Sequence, residues 1–248
     1  MMFSPRVALA SLSGKSDAEW AMAGAEHAGA AFLGGIALDE ETRSAARKLV
    51  SRDRTEFLPD DPIEFVDDQL ERLSETPIRP GFNVRSATLS PIREVAEVCR
   101  KHDAIVEINA HCRQDEMCAT GAGQSLLHHP DRLCEQVRVA NKAGATVGVK
   151  LRTEVSGVDL PELCRRVTDM GAAVIHVDAM DSEHVIADIA ETTDCFLIAN
   201  NGVRNEATVL EYLEHGADAV SVGRPSDRPE ILSRVRRATD EWFAEVVV

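Results

Sequence analysis

Residues 142–152 read Lys142-Ala143-Gly144-Ala145-Thr146-Val147-Gly148-Val149-Lys150-Leu151-Arg152, a helix end closed by glycine that runs straight into a β-branched stretch. The same grammar returns at Met170-Gly171-Ala172 before Ala173–Asp178 and at His215-Gly216-Ala217 before Ala219–Val222. Glycine just past the last helical residue ends a helix, and a short apolar run then starts a strand. Working outward, strands are expected at Arg6–Ser11, Ala31–Gly35, Arg79–Val84, Ile105–Asn109, Thr146–Leu151, Ala173–Asp178, Cys195–Asn200 and Ala219–Val222. Helices are expected at Asp17–Ala28, Asp39–Asp53, Pro91–His102, Pro130–Ala143, Leu160–Met170, Glu183–Thr192, Glu206–His215 and Pro229–Phe243. An extra helix at Asp61–Leu73 has Asp61 as its N-cap and Pro62 at its first position. Eight strand–helix units imply a parallel sheet with helices outside, and eight is the number that closes it into a (β/α)8 TIM barrel. A doubly wound open sheet is the competing arrangement. It calls for a Gly-rich first turn, which Ser11-Leu12-Ser13-Gly14-Lys15-Ser16-Asp17 supplies poorly.

The chain has 248 residues, the size of one such barrel, for which about 250 is typical. No linker or charge block divides it, so residues 1–248 are expected to form a single domain. No run of eighteen apolar residues occurs, which leaves no candidate transmembrane helix. The N-terminal stretch reads as the first strand rather than a signal peptide. The net charge is −15, and arginine outnumbers lysine 22 to 5. Such a surface suits either a high-salt cytoplasm or an acidic enzyme from an arginine-biased genome. In both cases it opposes binding to nucleic acid, although dense salt screens the repulsion. Six cysteines, at 99, 112, 118, 134, 164 and 195, form no CxxC pair. They fit neither a disulfide framework nor a zinc site, and most are expected to be small buried hydrophobes in a reducing cytoplasm.

Side chains alternate along a barrel strand between lumen and helix layer. Val106 and Ile108 suit the helix layer, so Glu107 and Asn109 should point inward. Gly148, Lys150 and Arg152 share a face of strand five, and His176 and Asp178 share one of strand six. A purely structural barrel would hold Val, Ile and Leu there. The polar cluster is read as facing a ligand, with a buried ion pair such as Glu107 with Lys150 as the structural alternative. The loop after strand four, His111–Gly123, exceeds the usual length of about 2–6 residues. It places Cys112 three residues beyond Asn109, where a thiol serves as nucleophile, as proton donor, or not at all. Loops seven and eight, Ala199-Asn200-Asn201-Gly202-Val203 and Val222-Gly223-Arg224-Pro225-Ser226, sit at the corner where barrels bind phosphate through backbone N–H groups.

Ile108-Asn109-Ala110-His111-Cys112, followed by Gly121-Ala122-Gly123-Gln124-Ser125-Leu126-Leu127, resembles the Asn-x-Gly-Cys-Pro…Gly-Ala-Gly-x-x-Leu-Leu segment of tRNA-dihydrouridine synthases. Val149-Lys150-Leu151-Arg152 is similar to their Val-Lys-x-Arg strand. Loops seven and eight resemble their flavin-phosphate loops, which dihydroorotate dehydrogenase barrels share. The resemblance implies bound FMN with its phosphate on Asn201, Gly202, Gly223 and Arg224, and NAD(P)H as the outside electron donor. It implies that Asn109 and Lys150 lie near flavin or substrate and that Cys112 transfers the proton. It places Ala8-Leu9-Ala10-Ser11 against the isoalloxazine ring. Ala10, Ser11, Asn83, Asp178 and Asn200 complete the candidate cofactor contacts beside Lys150. Three departures stand out. His111 and Arg113 replace the family's Gly and Pro around the cysteine. Asp178-Ala179-Met180 replaces its His-x-Arg. No helical tRNA-binding domain is expected after the barrel. The resemblance therefore points to a barrel-only, archaeal-type relative.

The leading expectation is thus an FMN-dependent oxidoreductase that reduces or oxidises a C=C bond of a pyrimidine-like or nucleoside-type substrate. Binding of free tRNA should be weak without a partner protein. Two other classes remain: a flavin-free, phosphate-binding lyase or isomerase with Lys150 as a Schiff-base lysine, and a non-catalytic barrel scaffold.

Overall fold

The computed structural model describes residues 2–246. Eight parallel strands pair in sequence order and close on themselves, β8 against β1. They are β1 Val7–Leu9, β2 Ala30–Ala37, β3 Arg79–Arg85, β4 Ile105–Asn109, β5 Thr146–Arg152, β6 Ala172–Asp178, β7 Phe196–Asn200 and β8 Ala219–Val222. Around them run α1 Ala18–Gly24, α2 Glu40–Val50, α3 Pro62–Glu71, α4 Ser90–Lys101, α5 Asp115–Cys118, α6 Pro130–Lys142, α7 Leu160–Asp169, α8 Val185–Thr192, α9 Glu206–Glu214 and α10 Pro229–Val246. This is the (β/α)8 barrel, with α3 inserted between β2 and β3.

Local chemistry explains the boundaries. Asp17, Asp39, Asp61 and Asp159 each accept a backbone N–H of the first turn of α1, α2, α3 and α7. Pro62 takes the first position of α3, as expected. The repeated glycines Gly144, Gly171 and Gly216 all sit at φ between 85 and 105°, where a side chain would be strained. The apolar spacing of α4 buries Ile92, Val95, Ala96 and Cys99 on one face against the sheet.

Several elements depart from the expected ranges; α1 ends at Gly24 rather than Ala28, and α2 at Val50 rather than Asp53. β1 is only three residues long, because beyond Leu9 its ladder continues only through the Ala10 N–H to Val222 O bond. β2 runs to Ala37 across a register irregularity between Gly34 and Ile36. The long loop after β4 also contains α5 and a 3-10 turn, Gly123–His128. All six cysteines are unpaired; three are buried, and Cys112, Cys118 and Cys195 are half-buried. No helix among the described residues is long and apolar enough to cross a membrane.

The core has two shells. The larger lies between sheet and helices. The smaller fills the lower lumen with Ala8, Phe32, Ile105, Val174, Ile198 and Ala219, all toward the N-terminal ends of the strands. Each large apolar side chain so buried contributes about 1.5–3 kcal/mol. Above this plug the lumen turns polar.

Candidate cofactor and substrate site

Strand alternation carries Asn83 and Arg85 on β3, Glu107 and Asn109 on β4, Lys150 on β5, His176 and Asp178 on β6, and Ser221 on β8 into the upper lumen. Their partners confirm the direction. Asn109 Nδ2 donates to Asn83 Oδ1 at 2.7 Å, and Asn83 Nδ2 donates to Glu107 Oε2 at 2.5 Å. From the opposite side Asn200 Nδ2 donates to Ser221 Oγ, Ser221 Oγ pairs with His176 Nε2, and His176 Nδ1 pairs with Glu107 Oε1, each at 2.7 Å. Two chains of hydrogen bonds thus converge on one carboxylate.

Burial pushes the Glu107 pKa up, but His176, the Lys150 charge and the Asn83 hydrogen bond outweigh it and hold the carboxyl below its usual range. Burial and the Lys150 charge push His176 down. Nδ1 of His176 thus faces the Glu107 carboxylate, and its Nε2 faces the Ser221 hydroxyl. Lys150 is 3% exposed. Burial lowers its pKa, with Glu107 and Asp178 opposing. Among the described residues its ammonium has no carboxylate within the 4.0 Å of an ion pair. The Glu107–Lys150 pair considered from sequence does not form at ion-pair distance; the Glu107 oxygens bond His176 and Asn83, and Lys150 acts on the carboxylate through its charge alone.

The rim is organised by Asp178. Its Oδ2 lies 2.6 Å from His111 Nε2, and its Oδ1 accepts Asn201 Nδ2 at 2.7 Å. These bonds overcome the effect of burial and hold the carboxyl well below its usual range. Asn201 has φ of 94°, a conformation that costs a non-glycine residue of order 1–3 kcal/mol. Tyr212 holds that loop with one hydroxyl hydrogen shared between the Asn200 and Asn201 carbonyls, 3.2 and 3.0 Å away. Loop eight is held by Trp20 Nε1, which donates to Ser226 Oγ at 3.0 Å.

Between these loops opens a cavity of about 480 Å³. Ala10, Ser11, Lys150, Asp178, Asn200, Asn201, Gly202, Gly223 and Arg224 line it, together with His111, Arg204 and Ser221. A Cβ added at Gly202 or Gly223 would meet nothing within 4 Å; Gly202 also has φ of 67°, a conformation that itself favours glycine, whereas Gly223 has no such backbone demand. Asn83 and Asn109 are not part of that lining. They belong to the hydrogen-bond chain, and Asn109 Oδ1 accepts the His111 and Cys112 N–H groups at 3.1 and 2.8 Å.

Cys112 also stands apart from the lining. Its side chain packs on Ala45, Met117 and Ala122, beside the Arg85 guanidinium. The loop doubles back here. Gln124 N donates to Cys112 O at 2.8 Å, and a Cβ at Gly123 would fall 2.4 Å from that oxygen.

Sequence reasoning missed Arg85. Its side chain and that of Glu56 are both 1% exposed and form an ion pair. Arg85 Nη2 also donates to Gly35 O at 2.7 Å, while its buried Nε has no partner. Burial opposes the Arg85 charge, but the Glu56 carboxylate prevails and raises its pKa. The inward register of Gly81 and Asn83 extends to Arg85, one residue past the expected strand end at Val84. Ser221 and His111 were likewise missed as site residues.

A family model described as dihydrouridine synthase matches residues 84–247. An uncharacterized protein of Methanocaldococcus jannaschii is 26% identical over 254 residues, covering 97% of this chain and 93% of that protein. A FabK variant from Thermotoga maritima superposes with a TM-score of 0.59 at 13% identity, covering 89% of this chain and 61% of that one. Thiamine phosphate pyrophosphorylase from Pyrococcus furiosus gives 0.56 at 12% identity, covering 95% of this chain and 96% of that one. A tryptophan synthase α-subunit variant from the same organism gives 0.59 at 13%, covering 98% and 100%. At such identities the likeness is one of barrel fold alone.

Proposed function

The chain belongs to the dihydrouridine synthase family, and from that premise we propose that it is an FMN-dependent oxidoreductase acting at a carbon–carbon bond of a pyrimidine-like substrate. The observation that carries this reading is the cavity corner formed by loops seven and eight. Gly202 and Gly223 leave open space where a side chain would stand, and Arg224 adds a cation beside them. Among the described residues, the N–H groups of Gly202, Gly223 and Arg224 have no protein acceptor. Open backbone donors next to a guanidinium suit a phosphate monoester. The volume of about 480 Å³ falls within the range of about 300–1,000 Å³ for small-molecule sites. The donor set therefore fits FMN.

When bound, FMN supplies hydride transfer. Lys150 brings a buried positive charge to the floor of the cavity, suited to a developing negative charge on flavin or substrate oxygen. Ala10 and Ser11 line the wall opposite, and Asn200 is fixed by Ser221. The loop after β4 supplies the proton-exchanging group, with Cys112 and His111 as its candidates. NAD(P)H completes the cycle as outside donor. The charge of −15 favours a nucleoside-sized substrate, or tRNA brought by a partner, over tight direct binding of tRNA. Residues 1–248 act as one domain in this reading.

Titration of FMN into the wild type and Arg224→Ala, followed by quenching of flavin fluorescence in high salt, tests it. One charge-assisted contact is worth about 1.5–3 kcal/mol, so the variant should bind about 10- to 150-fold more weakly. Equal affinities would remove the phosphate from this corner.

A further inference from the structure

The loop after β4 presents two side chains able to exchange protons, and the fold sends them in different directions. Cys112 packs sideways onto Ala45, Met117 and Ala122. His111 lines the cavity. We propose that His111, held by Asp178, is the proton-exchanging catalytic residue of this cavity; the proposal rests on the oxidoreductase reading above.

The His111 ring is held by Asp178, and the residue's backbone by Asn109. Its Nε2 lies 2.6 Å from Asp178 Oδ2, and its own backbone N–H donates to Asn109 Oδ1 at 3.1 Å. Asp178 cannot swing away, because Asn201 Nδ2 binds its other oxygen at 2.7 Å. Among the described residues Nδ1 has no protein partner. A ring that donates Nε2–H to a carboxylate keeps its lone pair on Nδ1, and the carboxylate both orients the ring and stabilises its protonated form. This is the arrangement of a positioned general base and, in reverse, of a general acid.

In the oxidising direction Nδ1 takes a proton from one carbon of the substrate. Bound FMN would accept the hydride from the neighbouring carbon, and the C=C bond would form. Two C–H bonds break, the substrate loses two electrons, and the flavin gains them. Reduction runs the same events backwards, with protonated His111 giving Nδ1–H to carbon.

The charged and titratable groups around the ring are Lys150 and Arg152 from β5, His176 and Asp178 from β6, and Arg204 and Arg224 at the rim. Burial lowers the His111 pKa; Asp178 opposes, and Lys150 and Arg152 add to the lowering. At neutral pH the ring is then an unprotonated base, so oxidation gains as pH rises and reduction gains as pH falls.

Two measurements on the full chain test the proposal. Nitrogen-detected NMR of the imidazole, with His111→Asn to assign it, should show the Nε2–H tautomer titrating below the ordinary histidine range. Asp178→Asn should abolish that tautomer preference. A wild-type ring in the Nδ1–H tautomer, or without preference, overturns the dyad with no reference to activity. In the second, reduced flavin in the FMN-loaded chain is reoxidised by uridine or by 2-cyclohexen-1-one. His111→Asn should slow reoxidation by about 10²–10⁴-fold, and Cys112→Ala by less. A larger loss in Cys112→Ala than in His111→Asn, or no loss in His111→Asn, overturns the assignment and leaves the oxidoreductase reading standing. If the wild type is reoxidised by neither probe, that reading fails and takes the proposed chemistry with it.

Discussion

Lys150→Met is expected to cut turnover by about 10²–10³-fold, the cost of losing one preorganised charge-stabilising group, while leaving the unliganded protein at least as stable as the wild type. The two halves of the expectation share one cause. Lys150 is 3% exposed, yet Glu107 is committed to His176 and Asn83, and Asp178 to His111 and Asn201. A buried ammonium without a direct carboxylate partner is a burden on the fold. Methionine has similar length and adapts to irregular space, so it relieves the charge without opening a cavity. A residue kept against stability is a residue kept for the ligand. Urea unfolding and steady-state turnover on the same preparations measure both. Loss of more than about 1 kcal/mol of stability with activity intact would make Lys150 a structural residue.

Glu107→Ala should be the most destabilising single change in the lumen, by about 3–5 kcal/mol, comparable to removing one partner of a buried charge pair. The carboxylate is fully buried and accepts from His176 and Asn83. Its removal leaves two donors without an acceptor, each costing about 1–3 kcal/mol. It also leaves a void. The damage should spread upward, since Asn83 holds Asn109 and Asn109 holds the backbone of His111 and Cys112. Glu107→Gln keeps the shape and one acceptor and should lose less. A fall in denaturation midpoint worth under about 1 kcal/mol for Glu107→Ala, with unchanged slope, would show that the two chains do not depend on this carboxylate.

What sequence alone made legible was local. Asp61 with Pro62 marks a helix start within two residues, and Gly144, Gly171 and Gly216 mark helix ends. Period-two alternation correctly turned Glu107, Asn109, His176 and Asp178 inward. The rest depended on distant partners. Arg85 meets Glu56 across 29 positions, from a loop with no regular pattern. Ser221 reads as a small polar residue in a short strand until His176, 45 positions earlier, is placed against it. The direction of Cys112 is set by the return of Gly123 and Gln124 onto its carbonyl, which spacing from Asn109 does not encode. Asp178 lines the cavity, and its partners His111 and Asn201 lie on other loops, which spacing along β6 does not encode.

The central claim is that the corner of Asn201, Gly202, Gly223 and Arg224 holds a flavin phosphate. The most direct test is the visible absorption spectrum of the full chain purified in high salt, followed by identification of what denaturation releases. The account predicts the two visible bands of a bound flavin and release of FMN. A colourless protein that takes up no added FMN under those conditions would contradict it.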